Sequence, residues 1–528
     1  MNPAEPVKLG APVLWATIVL PTLIALVFHV LGLRSPRAVR ALAYLSALIL
    51  VAPAFLVLYY LGYRRQLKGI VDPLSIDLSA YNIGYVGLAV DGLSAPVVAG
   101  ISIVTALVAV YSVKYMEHRV EELHAHGVRV PGLPSYFILY NAFSSSMLGM
   151  AYSTNLVGFF VFLELSLITS FLLIAFYGYG DRLRIAIMYF IWTHVGGALF
   201  LAGILYYGVN VGSFDILSVT SLDYNRAMAI RVEGLAVLAP LFIIVGLLVK
   251  MAVFGVHMWL PYAHAEAPTP ISALLSPNLI GVAGYALARF SPTMFPQFIE
   301  GIRDVLVFLA FITIVYGGLV ALRENDFKRF LAYSSISQMG YLLLGIATLT
   351  SFGVAGAMLH YLAHAIGKAV LFMVAGVFIV EVGGLRNMAL MGGFARVYPT
   401  ISALSLLGFM HLVGMPPSLG MWSEILILLG LIESYNPASA STLLAIAVIV
   451  VAAFMVTASY SFIAMRRIFF GQPRQPSRPA VVEVMDEFKI AILVIALSGV
   501  LAFLALDLIL EPLRLSVIRL LEPLGGVG

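Results

Sequence analysis

The chain has 528 residues, 61% of them hydrophobic and only 11% charged, with a mean hydropathy of +1.01. That composition cannot supply the mixed charged surface of a soluble globule, so lipid is its main solvent. The absence of cysteine excludes disulfides, Cys-ligated iron–sulfur clusters and thiol catalysis, and a formal charge of +4 scattered over loops does not suggest nucleic acid.

A span needs about 20 apolar residues. The sequence divides into about fourteen such stretches: 10–33, 38–62, 91–113, 134–152, 155–177, 184–208, 233–258, 270–292, 302–322, 328–349, 352–380, 398–425, 441–465 and 488–510. They are long and apolar all round, which predicts an all-α polytopic membrane protein rather than a barrel of alternating strands. The first stretch follows Glu5 and Lys8 rather than a basic run, so it reads as a span and not as a cleaved leader. Under this division every Lys and Arg falls in a loop or near a span end except Lys250 and Lys368. Most of the basic residues follow odd-numbered spans, including Arg34, Arg37, Arg40, Arg182, Arg184, Arg323, Lys328, Arg329, Arg466 and Arg467. The positive-inside rule then puts those loops in the cytoplasm and both termini outside it.

Along the chain, Asp91 in AVDGLSAP marks the mouth of span 3, and Asp181 with Arg182 marks the start of span 6. KYMEHRVEELHAHGVRVPGLP reads as a solvated loop, in part an interfacial helix, rather than a metal site. Glu164 lies in the middle of NLVGFFVFLELSLITSFLLIAF and Lys250 in the middle of LAPLFIIVGLLVKMAVFGVHMWLP; Lys368 and Glu424 also fall inside apolar stretches. A charge at mid-membrane costs about 2.5–3.5 kcal/mol on insertion scales, so those that persist usually face a bundle interior or a wet path. The alternative, a charge that only fixes helix packing or snorkels, fits Glu164 and Lys250 poorly, since neither side chain reaches a headgroup layer from the centre. A buried Lys–Glu pair can load and release a proton as its separation changes.

Two stretches read as interrupted helices. GVHMWLPYAHAEAPTPISALLSP carries prolines at 261, 268, 270 and 277, with Lys250, His257, His264 and Glu266 nearby. LGFMHLVGMPPSLGMWSEILILLG carries Gly414, Pro416, Pro417 and Gly420, with His411 and Glu424 nearby. Between them, MLHYLAHAIGKAVLFMVAG spaces His360, His364 and Lys368 four residues apart, stacking them along one helix stripe. A haem or zinc reading of these histidines lacks a partner motif. Interruptions at corresponding places in two halves point to a transport site, against the plainer alternative of two unrelated kinks. The implied organisation is 1–133 (spans 1–3), 134–295 (spans 4–8, first five-helix repeat), 296–468 (spans 9–13, second repeat) and 469–528 (a loop and the last span). The Pro-rich 466–489 segment reads as a cytoplasmic loop that could dock a partner.

VHMWLPYAHAEAPTPISALLS, DFKRFLAYSSISQMGY at 326–341, HAIGKAVLFMVAG at 364–376 and GMPPSLGMWSEILIL at 414–428 resemble the antiporter-like subunits of complex I, multisubunit cation/proton antiporters and membrane-bound hydrogenases. The resemblance covers about residues 90 to 470 and is strongest to the M-type subunits of NADH-quinone oxidoreductases. It implies two inverted five-helix repeats with broken helices, each a half-channel, joined by a central polar axis. By motif, Glu164 matches the span-5 glutamate that partners the span-7 lysine, here Lys250; His364 matches the axial histidine of span 11; Glu424 matches the acidic end of the path. His257, His264, His360 and Lys368 are the further candidate relay groups. Two positions depart from the family pattern: Gly281 stands where span 8 commonly has a lysine or histidine, and Gln338 where a histidine is frequent; Lys368 is expected to supply the nearby base. No dinucleotide fingerprint, P-loop or nucleophile elbow is present, so no cofactor or redox centre is expected in this chain. The expected partners are other membrane subunits, the bilayer, and protons or sodium. The expected activity is proton movement driven by electron transfer elsewhere, the alternatives being a cation/proton antiporter subunit without a redox partner and a structural subunit that has lost transport.

Overall fold

The computed structural model describes residues 5–65, 68–218, 222–223, 234–435, 439–472 and 483–524. The middle of the Pro-rich loop, 473–482, lies outside the described residues. Each of the fourteen predicted stretches contains a helix. In chain order these are α1 (Val13–Val30), α2 (Pro36–Val57, continued by a π-helical turn Leu58–Tyr63), α3 (Ala95–Ala125), α4 (Leu133–Tyr152), α5 (Leu156–Tyr177) and α6 (Arg182–Val211). Span 7 is split into α7 (Leu238–Met251) and α8 (Trp259–Glu266). Span 8 consists of α9 (Thr269–Leu274), a π segment (Leu275–Leu279) and α10 (Ile280–Met294), followed by the short α11 (Pro296–Gly301). Then come α12 (Arg303–Arg323), α13 (Phe327–Ala347), α14 (Ser351–Glu381), the split span 12 as α15 (Pro399–Val413) and α16 (Leu419–Tyr435), α17 (Ala440–Ile468), α18 (Glu487–Leu504) and α19 (Asp507–Leu521). Eleven helices among the described residues are long and apolar enough to cross a membrane, and α7 and α15 are the shorter apolar halves of the two split spans.

Because most helices are apolar on every side, their sequences do not distinguish core from lipid-facing surface; burial does. Span 8, α13 and α14 are almost wholly enclosed and α3 largely so, whereas α1, α2, α6 and α17 turn most of their surface outward. Helix starts are fixed by side chains that accept orphan N–H bonds: Asn155 from Val157 and Gly158, Asp326 from Arg329, Thr350 from Gly353, and Asp486 from Lys489.

Cross-links at the helix ends establish the threading. The Arg119 guanidinium at the end of α3 donates to the carbonyls of Tyr177 (3.1 Å) and Gly178 at the end of α5. Lys114 bonds Glu381 at the end of α14 (3.0 Å) and Asp486 at the start of α18 (2.6 Å). The Phe327 N–H at the start of α13 donates to Arg386 O just beyond α14 (2.8 Å), so the ends of α3, α5 and α14 and the starts of α13 and α18 share one face of the bundle, as strict alternation of the spans requires. Helix α4 starts at that face and α12 ends there, so the five spans beginning with α4 and the five beginning with α12 run in opposite senses. Each set is interrupted in its fourth member.

Some features depart from the sequence reading. The 114–125 segment is not a loop: α3 continues through it to Ala125. The segment between spans 2 and 3 forms a small sheet with the residues before span 1: β1 (Val7–Lys8) pairs parallel with β2 (Ile70–Asp77), and β2 pairs antiparallel with β3 (Tyr85–Val90). Asp72 of β2 accepts the Leu14 N–H (2.8 Å) and so anchors the start of α1. Asp91 is more than a marker of a span mouth: it is buried and pairs at 2.5 Å with Arg289, itself only 2% exposed.

Candidate functional site

The first interruption follows from backbone geometry at Ala252 and Gly255, which take φ of +55° and +90°. Both values lie in the left-handed region that ends helices. The prolines expected to cause the break lie further on: Pro261 sits in the first turn of α8, Pro268 in the turn after it, Pro270 in the first turn of α9 and Pro277 in the π segment. Pro261 and Pro270, in first turns, remove no helical hydrogen bond, and Pro268 and Pro277 lie beyond α8, so none of the four sets this break. The unwound carbonyls find indole donors, Trp259 bonding Val249 O (3.1 Å) and Trp192 bonding Val256 O (3.0 Å), while Thr313 of α12 accepts the Phe254 N–H (3.1 Å). Such satisfaction is obligatory at membrane depth. The far end of α8 is held by Lys328, fully buried, whose ammonium donates to the carbonyls of Ala267 and Ala265. A cation there faces the negative end of the helix dipole.

Lys250 occupies the last turn of α7, immediately before the break, and its ammonium is buried with no protein partner. Glu164 does not close onto it. One carboxylate oxygen bonds His194 Nδ1 of α6 at 2.9 Å, and the other lies against Gly197, one turn further on, without a partner. The His194 side chain is 52% exposed and that of Glu164 17%, which places this pair at the outer surface of the chain. Close packing of α6 on α7 through Gly196, Gly203 and Gly246 sets the two sites on adjoining helices. His257 lies within the break, its Nε2 3.2 Å from the Tyr316 hydroxyl.

The second interruption lies where Gly414 takes φ +71° at the end of α15. Gln338, at the position where a histidine was the family's expectation, donates to Leu412 O (3.2 Å) and to Tyr460 Oη (2.9 Å), so its amide satisfies the unwound backbone. Glu424 of α16 is buried with its carboxylate over Gly414, and neither oxygen has a protein partner. Beside it, Ser423 Oγ is 3.1 Å from His360 Nδ1, and Tyr341 stacks on the His360 ring with centroids 5.3 Å apart.

Between the two breaks, His264 of α8 stacks on Phe372 of α14 (5.1 Å), and both its ring nitrogens are buried without protein partners. The same is true of both nitrogens of His364. Lys368, one turn beyond, donates to Leu331 O (2.9 Å) and to Ser334 Oγ of α13. The structure therefore brings His264, His360, His364 and Lys368 onto or against α14, with Lys250 at one broken helix and Glu424 at the other. Polar groups buried without partners cost about 1–3 kcal/mol each. A row of them in one chain is retained for something other than stability. The Tyr361 ring closes over Gly281, and any side chain at 281 would collide with it. Lys368→Met is expected to lower coupled ion movement about tenfold in the assembled protein, because it removes the charge next to His364, and ion flux in proteoliposomes is the check.

Sequence reading missed two participants. His194 stands mid-helix in MYFIWTHVGGALF, and the small residues following it were the available signal of a close helix contact. Lys328 reads from the sequence as one of the ordinary basic residues at a span end, yet it is fully buried.

Residues 153–455, more than half of the chain, match the family described as NADH:quinone oxidoreductase/Mrp antiporter, TM, and residues 79–123 match the one described as NADH-ubiquinone oxidoreductase (complex I), chain 5 N-terminus. The chain is 31% identical over 400 residues to NAD(P)H-quinone oxidoreductase chain 4-2 of Synechocystis sp., covering 74% of this chain and 66% of that relative, just under two thirds of its length. It is 30% identical over 384 residues to NADH-quinone oxidoreductase subunit M of Rhodobacter capsulatus, covering 71% of this chain and 73% of the relative. In structure it is similar to a chain of respiratory complex I from Thermus thermophilus with bound NADH, with a TM-score of 0.81, 25% identity, and coverage of 97% and 100%. With its helices broken at Ala252 and Gly414 and the matched region spanning both, this chain belongs to the NADH:quinone oxidoreductase/Mrp antiporter membrane family.

Proposed function

We propose that the chain is the proton-translocating membrane subunit of a complex I-like, redox-driven pump, with electron transfer carried by other subunits. The observation that carries this reading is the pair of broken helices, each presenting a buried ionisable group without a protein partner, Lys250 and Glu424, linked by His264, His364, Lys368 and His360. Residues 134–295 and 296–468 act as the two repeats, each contributing one half of the path. Glu164 with His194 forms the lateral terminus, where a neighbouring membrane subunit exchanges a proton with the chain. His257, bonded to Tyr316, lines the first break. The face carrying Arg119, Lys114 and Lys328 is assigned to the cytoplasm, which puts both termini on the other side.

Protons are favoured over sodium by the donor chemistry. The row between the breaks is made of imidazoles and ammonium groups, whereas a hard cation needs several oxygen ligands. The test is proton pumping by the intact complex in proteoliposomes carrying Glu164→Gln, with electron transfer and assembly followed in parallel. The variant preserves shape and hydrogen bonding to His194 but cannot ionise. A fall in pumping of about tenfold in an assembled complex is expected, whereas unchanged pumping stoichiometry would leave the chain a structural subunit, and sodium-dependent flux without electron transfer would make it an antiporter subunit.

A further inference from the structure

Span 8 packs between α7 and α14: α10 lies on α7, which carries Lys250, and the π segment lies on α14, which carries His360, His364 and Lys368. Between the start of the π segment and Tyr285, whose hydroxyl donates to Ala151 O (3.1 Å), it offers no titratable side chain. Position 281 is a glycine closed over by Tyr361, whose hydroxyl donates to the Asn278 carbonyl at 3.4 Å. One turn before Gly281, at the π segment, the Asn278 side chain is fully buried, and neither its amide nitrogen nor its oxygen has a protein partner. A carboxamide offers two donors and an acceptor with two lone pairs, so leaving all of them idle in a protein interior is exceptional.

The other buried carboxamides among the described residues are each engaged at least through the amide nitrogen. Asn141 donates to Pro21 O and Ser46 Oγ, Asn155 bonds Ile83 O and Asp215, and Gln338 bonds Leu412 O and Tyr460. The neighbouring hydroxyl does not serve Asn278 either, because Ser276 is paired with Ser335 of α13 at 2.6 Å. His364, one turn after Tyr361 on α14, faces the Pro277 backbone with both ring nitrogens unpartnered. The π turn, a form concentrated at functional sites, therefore sets a wholly unengaged carboxamide next to the residue, Pro277, whose backbone the His364 ring faces.

We propose that Asn278 holds a small cluster of water molecules that is the crossing point between the two halves, so that the proton passes span 8 on water and never rests on a side chain of that span. This rests on the translocation reading given above. In the crossing step an N–H bond of the Lys250 ammonium breaks as an O–H bond forms on the first water. Each water passes on one proton, and the last O–H bond breaks as an N–H bond forms on His364. The Asn278 carboxamide stays neutral throughout, accepting from one water and donating to the next, and so acts as a positioning residue.

The test uses the intact complex in proteoliposomes, with the ratio of protons moved to electrons transferred as the readout. N278L, similar in size but unable to hold water, is expected to lower that ratio at least tenfold with assembly retained, and N278S, which keeps a hydroxyl, to restore at least half of it. A second measurement needs no variant: high-resolution density of the wild-type complex is expected to show ordered water within about 3.2 Å of the Asn278 amide. Normal pumping by N278L, or no water at that amide, overturns the proposal. If K250M abolishes pumping while N278L pumps normally, only the crossing point is wrong; if both pump normally, the translocation reading itself falls.

Discussion

Lys250→Met is expected to abolish coupled proton movement while leaving the protein as stable as before or more so. The ammonium is buried at the end of α7 with no protein partner, and Glu164, the carboxylate expected to answer it, is turned to His194 instead. A buried charge without a partner destabilises the fold, and replacing buried charge by an apolar side chain of similar volume is often neutral or stabilising by about 1–4 kcal/mol. Methionine fits such a site because it is unbranched and adaptable. Function should move the other way. Without the amine, the proton loses its resting place between Glu164 and the α14 row, and a loss of about 100-fold corresponds to roughly 2.7 kcal/mol of barrier. Thermal unfolding of the detergent-solubilised complex and pumping in proteoliposomes measure the two halves of this result. A K250M protein that is both less stable and still coupled would show that Lys250 is a packing residue, and the broken helix would need another explanation.

How much of this was legible in the sequence depends on what each feature is made of. Spans are composition, so their number and order followed from hydropathy. Glu164, Lys250, Lys368 and Glu424 stood out because a charge in an apolar run contradicts its surroundings locally. The second break was readable at Gly414 because glycine marks its own conformational freedom. For the first, span 7 is the broken member as expected, but a non-glycine, Ala252, takes the positive φ, and the conspicuous prolines all lie beyond it, two of them in tolerated first-turn positions. Lys328 and Arg289 were unreadable for a different reason. Each sits near a span end, where basic residues are ordinary, and only tertiary packing shows that one caps α8 and the other pairs with Asp91. His194 and Asn278 contradict nothing in their own helices; their significance comes from what faces them across an interface.

Glu424→Gln is the variant expected to separate proton chemistry from structure in the second half. The two side chains have nearly the same shape and both can hydrogen-bond, so packing of α16 on α14 should survive. Only the carboxyl group can release and take up a proton. Both its oxygens are buried without protein partners, and it adjoins the Ser423–His360 contact, so it is placed as the end of the row on that side. Coupled turnover is therefore expected to fall by at least about tenfold, near 1.4 kcal/mol or more of barrier, in a complex that assembles normally. Gly414→Ala should fail differently. An L-residue at φ +71° is strained by about 1–2 kcal/mol, and its Cβ would strike the Glu424 carboxylate, so both the assembled amount and the pumping should drop. Proton-to-electron ratios measured on equal amounts of assembled complex distinguish the two. If E424Q pumps normally, the row does not end at this carboxylate. His411, whose buried Nε2 lies against Gly499 of α18 without a partner, would then be the next titratable group to test beside the second break.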